Sequence, residues 1–257
     1  MSARVRRWRS VITGALCAGL AAMSAACGSP DPDEGTNGLA KHPPETIEER
    51  ALDAAHEAVT VRLSGSVVAD GRSFRLDMRL GPQGGIGEVS TEGMTFELLR
   101  VGEDLFIKAD ESFWEYQQED GEESDPDIDP AGKLEGKYVK VAPEDPAYQR
   151  LSGFTDKNAM LDGLLVMEGE RETGERGEIG GVKTIQVVAG GGQGGVLEVS
   201  LIGEPYPLRL ARGGDAGEVR MADWNQEFTL RAPKEEQIVD YGDKVLPDTD
   251  SGGAEEG

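Results

Sequence analysis

The spacing of apolar residues changes from a helical period to a period of two near Val61. Thr46 and Glu49 have the spacing of a capping box, which predicts the start of a helix. From Val61 onward apolar and polar residues alternate, as in strands that bury one face. Before that point the apolar residues fall on one face of a helix of about three turns: Ile47, Ala51, Ala54 or Ala55, and Ala58.

The alternating region predicts an antiparallel meander of five strands. Asp70-Gly71 lies between two alternating runs, which is a strong signal for a hairpin. One face of the best strands is apolar and the other is polar, so one face packs on a core. The predicted strands cover residues 61–67, 74–80, 84–89, 94–101 and 105–109.

The second half of the chain alternates less regularly. A helix is predicted to begin at Thr155, because Met160, Leu161, Leu164 and Leu165 form an apolar stripe. A long antiparallel sheet that curls around its helices would cover every apolar face, and a two-sheet sandwich is the alternative. The pattern also predicts one helical turn at 146–151 and strands at 138–141, 165–172 or 167–172, 182–188, 196–202, 206–211, 219–221 and 228–230.

The N-terminus has the composition of an export signal. The apolar run from Val11 to Ala22 is too short to span a bilayer, which needs about 20 residues, and it matches a secretory signal peptide. Ala25-Ala26 before Cys27 resembles a bacterial lipobox, although Ser24 stands where an aliphatic residue is usual. We expect diacylation of Cys27. The alternative is an ordinary signal peptide cut near Ala26. The basic residues that precede the run are Arg4, Arg6, Arg7 and Arg9.

These features predict four segments. Residues 1–26 are the signal peptide, and the Pro- and Asp-containing residues 27–44 form a disordered tether. Residues 45–246 form one folded domain, and residues 247–257 form a disordered acidic tail. We therefore expect a monomer on the outer face of the cell membrane, held there by the diacylglyceryl group on Cys27.

Composition and motifs argue against several classes of function. The net charge of -23 disfavours nucleic acid as a partner. Removal of the signal leaves Cys27 as the last cysteine, which excludes a disulfide framework and a cysteine-based metal site. His42 and His56 lack metal-ligand spacing. We expect no metal and no cofactor.

Two further motif matches fail on their context. Gly190–Gly195 satisfies G-x-G-x-x-G, but a strand follows it, whereas phosphate binding needs a helix. The acidic run 125–129 has the opening spacing of an EF-hand, but Pro130 and Gly136 occupy the positions that need glycine and glutamate. No nucleophile elbow is present. We therefore expect no catalytic site, and the chain is not expected to be an enzyme.

Three stretches resemble one known family. They are the strand repeats 63–66, 74–77 and 99–108, the segment Gly203–Leu210, and Asp223–Asn225 with the later residues 232–233 and 239–240. Over roughly residues 45–246 the chain resembles the LolA-like lipoproteins of actinobacteria, of the LppX and LprAFG type. The resemblance implies an α+β fold, a strongly curved antiparallel β half-barrel with helices on its concave face. It also implies a space for acyl chains, since family members bind or ferry lipids, glycolipids or lipoproteins across the envelope.

The residues expected to line such a space are those that would otherwise form the core. One function follows if the space exists: a non-enzymatic, tethered lipoprotein that binds or carries an acyl-containing envelope lipid. The alternative is a tethered interaction or sensor module with a packed core and no ligand. The expected lining residues are Phe74, Leu76, Met78, Phe96, Leu98, Leu161, Leu164 and Leu165.

Overall fold

The computed structural model describes residues 32–69, 71–110, 113–114 and 134–239 of the chain. The predicted signal peptide, Cys27, the acidic run 125–129 and the tail 247–257 lie outside these residues. Within them, the chain forms one sheet of 12 strands with α-helices on its apolar face.

The helices are short and begin at clear N-terminal signals. α1 begins with a proline rather than at the predicted capping box, because the fixed φ of proline suits the first helical turn. The capping box at Thr46 is therefore wrong, whereas the predicted apolar face is confirmed by the burial of Ile47 and Ala51. The α-helices in the described residues are α1 (Pro44–Glu57), α2 (Pro146–Ser152) and α3 (Lys157–Leu164), and a 3-10 helix, Gly153–Thr155, joins the last two.

Aspartates cap the two helices of the second half. The Asp145 side chain accepts a hydrogen bond from the Ala147 N–H at 2.8 Å, and Asp156 accepts one from the Ala159 N–H at 3.0 Å. α3 therefore begins after Asp156 and not at Thr155, which belongs to the preceding 3-10 helix.

The first five strands confirm the predicted meander. The strands are β1 (Val61–Ala69), β2 (Arg72–Gly81), β3 (Gly84–Thr91), β4 (Met94–Val101), β5 (Asp104–Ala109), β6 (Tyr138–Val141), β7 (Arg171–Ile179), β8 (Val182–Ala189), β9 (Gly195–Ser200), β10 (Pro207–Ala211), β11 (Gly217–Ala222) and β12 (Ile238–Val239).

Two meanders make up the sheet. Strands β1 to β6 form one and β7 to β11 the other, and the antiparallel pairing of β1 with β11 joins them. The short β12 lies parallel to β6 and adds the last strand at that edge. The sheet is curved and does not close, so the predicted α+β class with a curved antiparallel sheet is confirmed.

Two predicted strands are wrong. The apolar run after Leu164 is a loop in which Leu165 and Met167 are buried and Val166 is exposed, and the strand that follows, β7, begins only at Arg171. β7 is an edge strand with most side chains exposed, so its sequence lacks apolar alternation. The run Phe228–Leu230 alternates but forms no ladder with a neighbouring strand in the part of the chain that the structure describes.

The folded body begins earlier than the predicted boundary at residue 45. The Asn37 N–H donates to the Leu201 carbonyl at 2.8 Å, and the Asn37 side chain donates to the Ser200 carbonyl at 3.2 Å. Leu39, in a 3-10 helix at Leu39–Lys41, is buried in the core. The last residues assigned to the disordered tether are therefore packed against the sheet, because Asn37 and Leu39 find partners there.

Glycines at inward positions let neighbouring strands approach closely. A Cβ on Gly65 would lie 2.1 Å from the Glu218 carbonyl oxygen, and its φ of +147° is one that other residues rarely adopt. A Cβ on Gly87 would lie 2.1 Å from the Asp77 carbonyl oxygen and 2.7 Å from the Met78 Cα. Glycines at such positions are a known means of bending a sheet.

We expect Gly87→Ala to lower the free energy of unfolding by about 2 kcal/mol or more, because the new methyl group collides with backbone atoms that cannot rotate away. Denaturant-induced unfolding measures this change. Gly163→Ala is the matched control, since Gly163 is exposed on α3 with no atom near its missing Cβ, and it should raise stability by about 0.5–1 kcal/mol. Equal stabilities for the two variants would contradict the packing argument.

Candidate ligand site on the apolar face of the sheet

Strand pairing aligns the inward side chains of the first meander in rows. Neighbouring side chains on one face of paired strands contact each other, so each row is a packing unit. The inner row contains Leu63, Met78, Gly87, Leu98, Ile107 and Val139. The middle row contains Gly65, Leu76, Val89, Phe96 and Ala109. The outer row contains Val67, Phe74, Thr91 and Met94.

Burial falls from the inner row to the outer row. Met78 is 0% exposed in the inner row, and Phe96 is 8% exposed in the middle row. In the outer row, Phe74, Thr91 and Met94 are only half-buried. The apolar face is therefore covered at the inner row and partly open at the end that carries the β1–β2 and β3–β4 turns.

Aromatic rings gather at this open end. The half-buried Phe154, from the 3-10 helix before α3, lies with its ring centroid 6.3 Å from that of Phe74. The Phe113 ring lies 5.2 Å from Phe96 and 5.0 Å from Trp114, and both Phe113 and Trp114 are buried. The result is an aromatic cluster whose outermost members, Phe74 and Phe154, reach solvent.

The Thr91 hydroxyl is the polar group of the outer row. Its oxygen is buried and has no hydrogen-bond partner among the described residues. A buried hydroxyl without a partner costs free energy, so this position is less well satisfied than the apolar positions beside it. The open end thus combines incomplete burial with an unmet hydrogen-bonding group.

The structure brings the eight sequence-predicted lining residues into contact with one apolar core. Seven of them are buried, and Phe74 packs against them half-exposed. Three come from α3 and its C-cap, and five come from β2 and β4: Leu161, Leu164, Leu165, Phe74, Leu76, Met78, Phe96 and Leu98. Their role toward a ligand stays a prediction.

The aromatic residues Phe113, Trp114 and Phe154 were not among the predicted lining residues. Phe113, Trp114 and Phe154 lie in short segments that carry no helical or strand periodicity. The only local signal was their aromatic character, which predicts burial without predicting a place.

The 3-10 helix Gly153–Thr155 and α3 together form a helical cover over the apolar face. Arg100 attaches this cover to the sheet. It belongs to β4, where its neighbour across the ladder is the fully buried Leu105, so the guanidinium points to the apolar side. Its Nε donates to the Thr155 hydroxyl at 2.9 Å, and its Nη2 donates to the Thr155 carbonyl at 3.0 Å and to the Asp156 carboxylate at 3.3 Å. An arginine at an inward strand position was the sequence signal that could have revealed this contact.

Lys157 attaches the same cover to α1. Its ammonium donates to the Ala55 carbonyl at 3.1 Å and to the His56 carbonyl at 3.0 Å, at the C-terminal end of α1. The negative end of the helix dipole favours a cation at this place. Burial lowers the pKa of Lys157 below its ordinary value, and the nearby Asp156 and Asp162 oppose that shift.

The described residues show neither a metal centre nor a spanning helix. No group of three or more His, Cys, Asp or Glu side chains in this part of the chain could hold a metal ion. No helix among the same residues is both long and apolar enough to cross a membrane.

The polar face of the sheet carries a groove of about 560 Å³ over β1 to β3. The Asp77 carboxylate in this groove accepts two hydrogen bonds from Arg62, at 2.8 and 2.6 Å, and the guanidinium holds the pKa of Asp77 below its ordinary value. Glu218 is likewise paired with Arg209 at 2.9 Å and with Arg220 at 3.1 Å. Both carboxylates are thus already neutralised by protein cations.

No family model and no curated protein matches the chain, but several solved structures are similar to it. LprF from Mycobacterium bovis shares 15% identity at a TM-score of 0.47, with 74% of this chain and 96% of LprF covered. An uncharacterized conserved protein from Thermus thermophilus shares 10% identity at a TM-score of 0.33, with 76% and 98% covered. MucB in complex with MucA(peri) shares 12% identity at a TM-score of 0.31, with 76% and 58% covered.

The LprF match agrees with the resemblance that the sequence indicates, which named the LppX and LprAFG type. At 15% identity the likeness concerns the fold alone. It identifies neither a ligand nor a partner for this chain.

Lys157 should make stability depend on pH in alkaline solution. Because burial lowers its pKa, the folded chain loses this proton at a lower pH than the unfolded chain, whose lysine has the ordinary value of 10.5. Between the lowered pKa and 10.5 the unfolded chain binds more protons, so stability rises with pH. Lys157→Met lacks this group. As pH increases in this range, the free energy of unfolding of the wild type should therefore rise relative to that of Lys157→Met.

Denaturant-induced unfolding of both proteins at a series of pH values measures the difference. Below the lowered pKa the two stability curves should run parallel, because Lys157 is charged in both states of the wild type there. Curves that stay parallel through the whole alkaline range would contradict the assignment of a buried, perturbed lysine.

Proposed function

We propose that this chain is a non-enzymatic lipoprotein of the outer face of the cell membrane, and that it binds an acyl-containing envelope lipid between its sheet and its helices. The observation that carries the proposal is the open end of the apolar face, where Phe74, Met94 and Phe154 are half-exposed although they continue a buried core. Apolar side chains held at the edge of a core form the entrance that an acyl chain requires.

The chemistry of the inner face suits a hydrocarbon chain. Each methylene that leaves water for an apolar site gains about 0.8 kcal/mol. Along β2 the inward side chains run from Phe74 at the open end through Leu76 to Met78, and along β4 they run from Met94 through Phe96 to Leu98. Met78 and Leu98 are fully buried. An acyl chain entering at Phe74 would meet apolar surface along its length, and its polar head would remain outside.

The helical cover is small enough to adjust to a ligand. The 3-10 helix Gly153–Thr155 contacts β2, β3 and β4, and α3 contacts α1. Arg100 binds Thr155 and Lys157 binds the end of α1, both near the N-terminus of α3. The His56 Nε2 of α1 also lies 3.2 Å from the Asp162 carboxylate of α3. At the C-terminal end of the cover, Leu164 and Leu165 join the core through apolar contact, which tolerates repacking.

Anchoring through Cys27 is the second part of the proposal. It rests on the short apolar segment and on the small residues before Cys27 in the sequence. Labelled palmitate should enter the wild-type protein in cells that process bacterial lipoproteins, and Cys27→Ala should abolish the label. Retention of the label in Cys27→Ala would contradict the anchor.

Met94→Lys should reduce lipid binding about tenfold or more, because it places a charge at the entrance that an acyl chain must pass. Native mass spectrometry of protein purified from a host with its own envelope lipids measures the occupied fraction. Val68→Lys is the control, since Val68 is 43% exposed on the opposite face of β1. Equal occupancy in the two variants would contradict entry at this end.

A packed interaction module remains the second candidate, favoured by the burial of seven of the eight lining residues. It predicts that no lipid accompanies the protein purified from any host. Native mass spectrometry thus separates the candidates, since a bound lipid mass supports the first and its consistent absence supports the second.

A further inference from the structure

The segment that follows β11 crosses the polar face of the sheet. We call residues 223–239 the strap. It leaves β11 after Ala222 and ends as β12 beside β6, so the order of the sheet requires it to cross β1 to β5. The Phe228 ring lies over Gly81, with ring atoms 3.4 Å from the position of a Cβ on that glycine. Gly81 shares the face of Arg79, which identifies the polar face as the one crossed.

Hydrogen bonds fix both ends of the strap. At the first end, the Asn225 N–H donates to the Thr60 carbonyl at 3.0 Å, and the Thr60 hydroxyl donates to the Gln226 carbonyl at 2.8 Å. At the other end, the Lys137 ammonium donates to the Glu236 carbonyl at 3.2 Å, just before β12 pairs with β6.

The backbone in the middle of the strap is unpaired within the part of the chain that the structure describes. From Glu227 to Pro233 no backbone N–H or carbonyl is hydrogen-bonded to another described residue. Phe228 and Leu230 are half-buried, whereas Thr229 between them is exposed, as in a strand that rests one face on a surface. An extended segment with unpaired backbone groups is a template for pairing with another extended chain.

A groove borders this free backbone. It has a volume of about 420 Å³ and opens to solvent at the β2–β3 turn, within the size range of ligand pockets of about 300–1,000 Å³. Val59, which is 58% exposed, contributes apolar surface to its wall. The residues that line the groove are Val59, Thr60, Gly81, Pro82, Gln83, Glu227, Phe228, Thr229 and Leu230.

We propose that the strap and this groove form a docking site for an extended peptide segment of a partner protein. The partner's backbone pairs with the strap between Glu227 and Pro233, and one of its apolar side chains enters the groove beside Val59. Basic residues flank that side chain, because the chain has a net charge of -23 and the four acidic residues of the strap outnumber its two basic ones, Arg231 and Lys234. This docking site does not rest on the proposed lipid binding.

The probe is an array of short synthetic peptides, each with one central aliphatic or aromatic residue flanked by lysines, together with copies in which glutamine replaces the lysines. Titration of the purified full-length chain into labelled peptide measures affinity by fluorescence anisotropy. We expect the lysine peptides to bind, and the glutamine copies to bind about tenfold more weakly, because the charge attraction is removed.

Matched variants locate the peptide. Thr229→Pro removes one backbone N–H of the strap and should weaken binding about tenfold, whereas Thr229→Val keeps the N–H and should change affinity less than about twofold. Val59→Ser should weaken binding about fivefold. Val166→Ser is its control, because Val166 is 56% exposed outside the groove, and it should leave affinity unchanged.

Four outcomes would overturn the proposal. The first is that no peptide of the array binds, and the second is that Thr229→Pro and Val59→Ser leave the affinity unaltered. The third is that palmitate displaces the peptide, and the fourth is that the chain self-associates and Val59→Ser abolishes this self-association. The third would assign the groove to an acyl chain and the fourth to a second copy of this chain. Circular dichroism of each variant establishes that the fold is retained.

Discussion

The need to cover one apolar face of a twelve-stranded sheet with a few short helices governs this fold. In the described residues α1 packs against β7 to β10, and the segment before α3 packs against β2 to β4. A flat sheet of this width would leave apolar rows in water between those two contacts, so the sheet must bend around the helices. Gly65 and Gly87 lie at inward positions where any side chain would collide with the neighbouring strand. The sheet can bend at these two positions because glycine has no side chain.

Two cations orient the helical cover relative to the sheet and to α1, because apolar contact alone is not directional. Arg100 reaches Thr155 and Asp156 from the sheet, and Lys157 reaches the last carbonyls of α1. Both sit beside the N-terminus of α3. Nearer Leu164, the polar contact of α3 is the exposed one between the Asp162 carboxylate and the His56 Nε2, 3.2 Å apart. Charged hydrogen bonds are worth more than neutral ones, and their geometry is specific. The cover is therefore held by part-buried directional bonds at the N-terminus of α3, and by an exposed polar contact together with apolar packing at its C-terminus.

The sequence predicted what local patterns encode. The meander β1 to β5 followed from alternation and from the Asp70-Gly71 turn, and the buried face of α1 followed from its spacing. The pairing of β1 with β11 joins residues far apart in the chain and has no local signal. β7 was misplaced because an edge strand in contact with water needs no apolar alternation. Of the site, the inward residues of β2 and β4 were predictable, whereas the aromatic cluster depends on tertiary contacts of short segments.

The two proposed sites lie on opposite faces and at opposite ends of the same strands. The open end of the apolar face lies at Val67 and Phe74, beside the β1–β2 turn, whereas the groove under the strap lies at Thr60 and the β2–β3 turn. Seven residues of extended strand separate Thr60 from Val67, which corresponds to roughly 20 Å. A ligand at one end leaves the other accessible. Any energetic coupling between them must pass through the inner row around Met78, whose dense packing resists displacement.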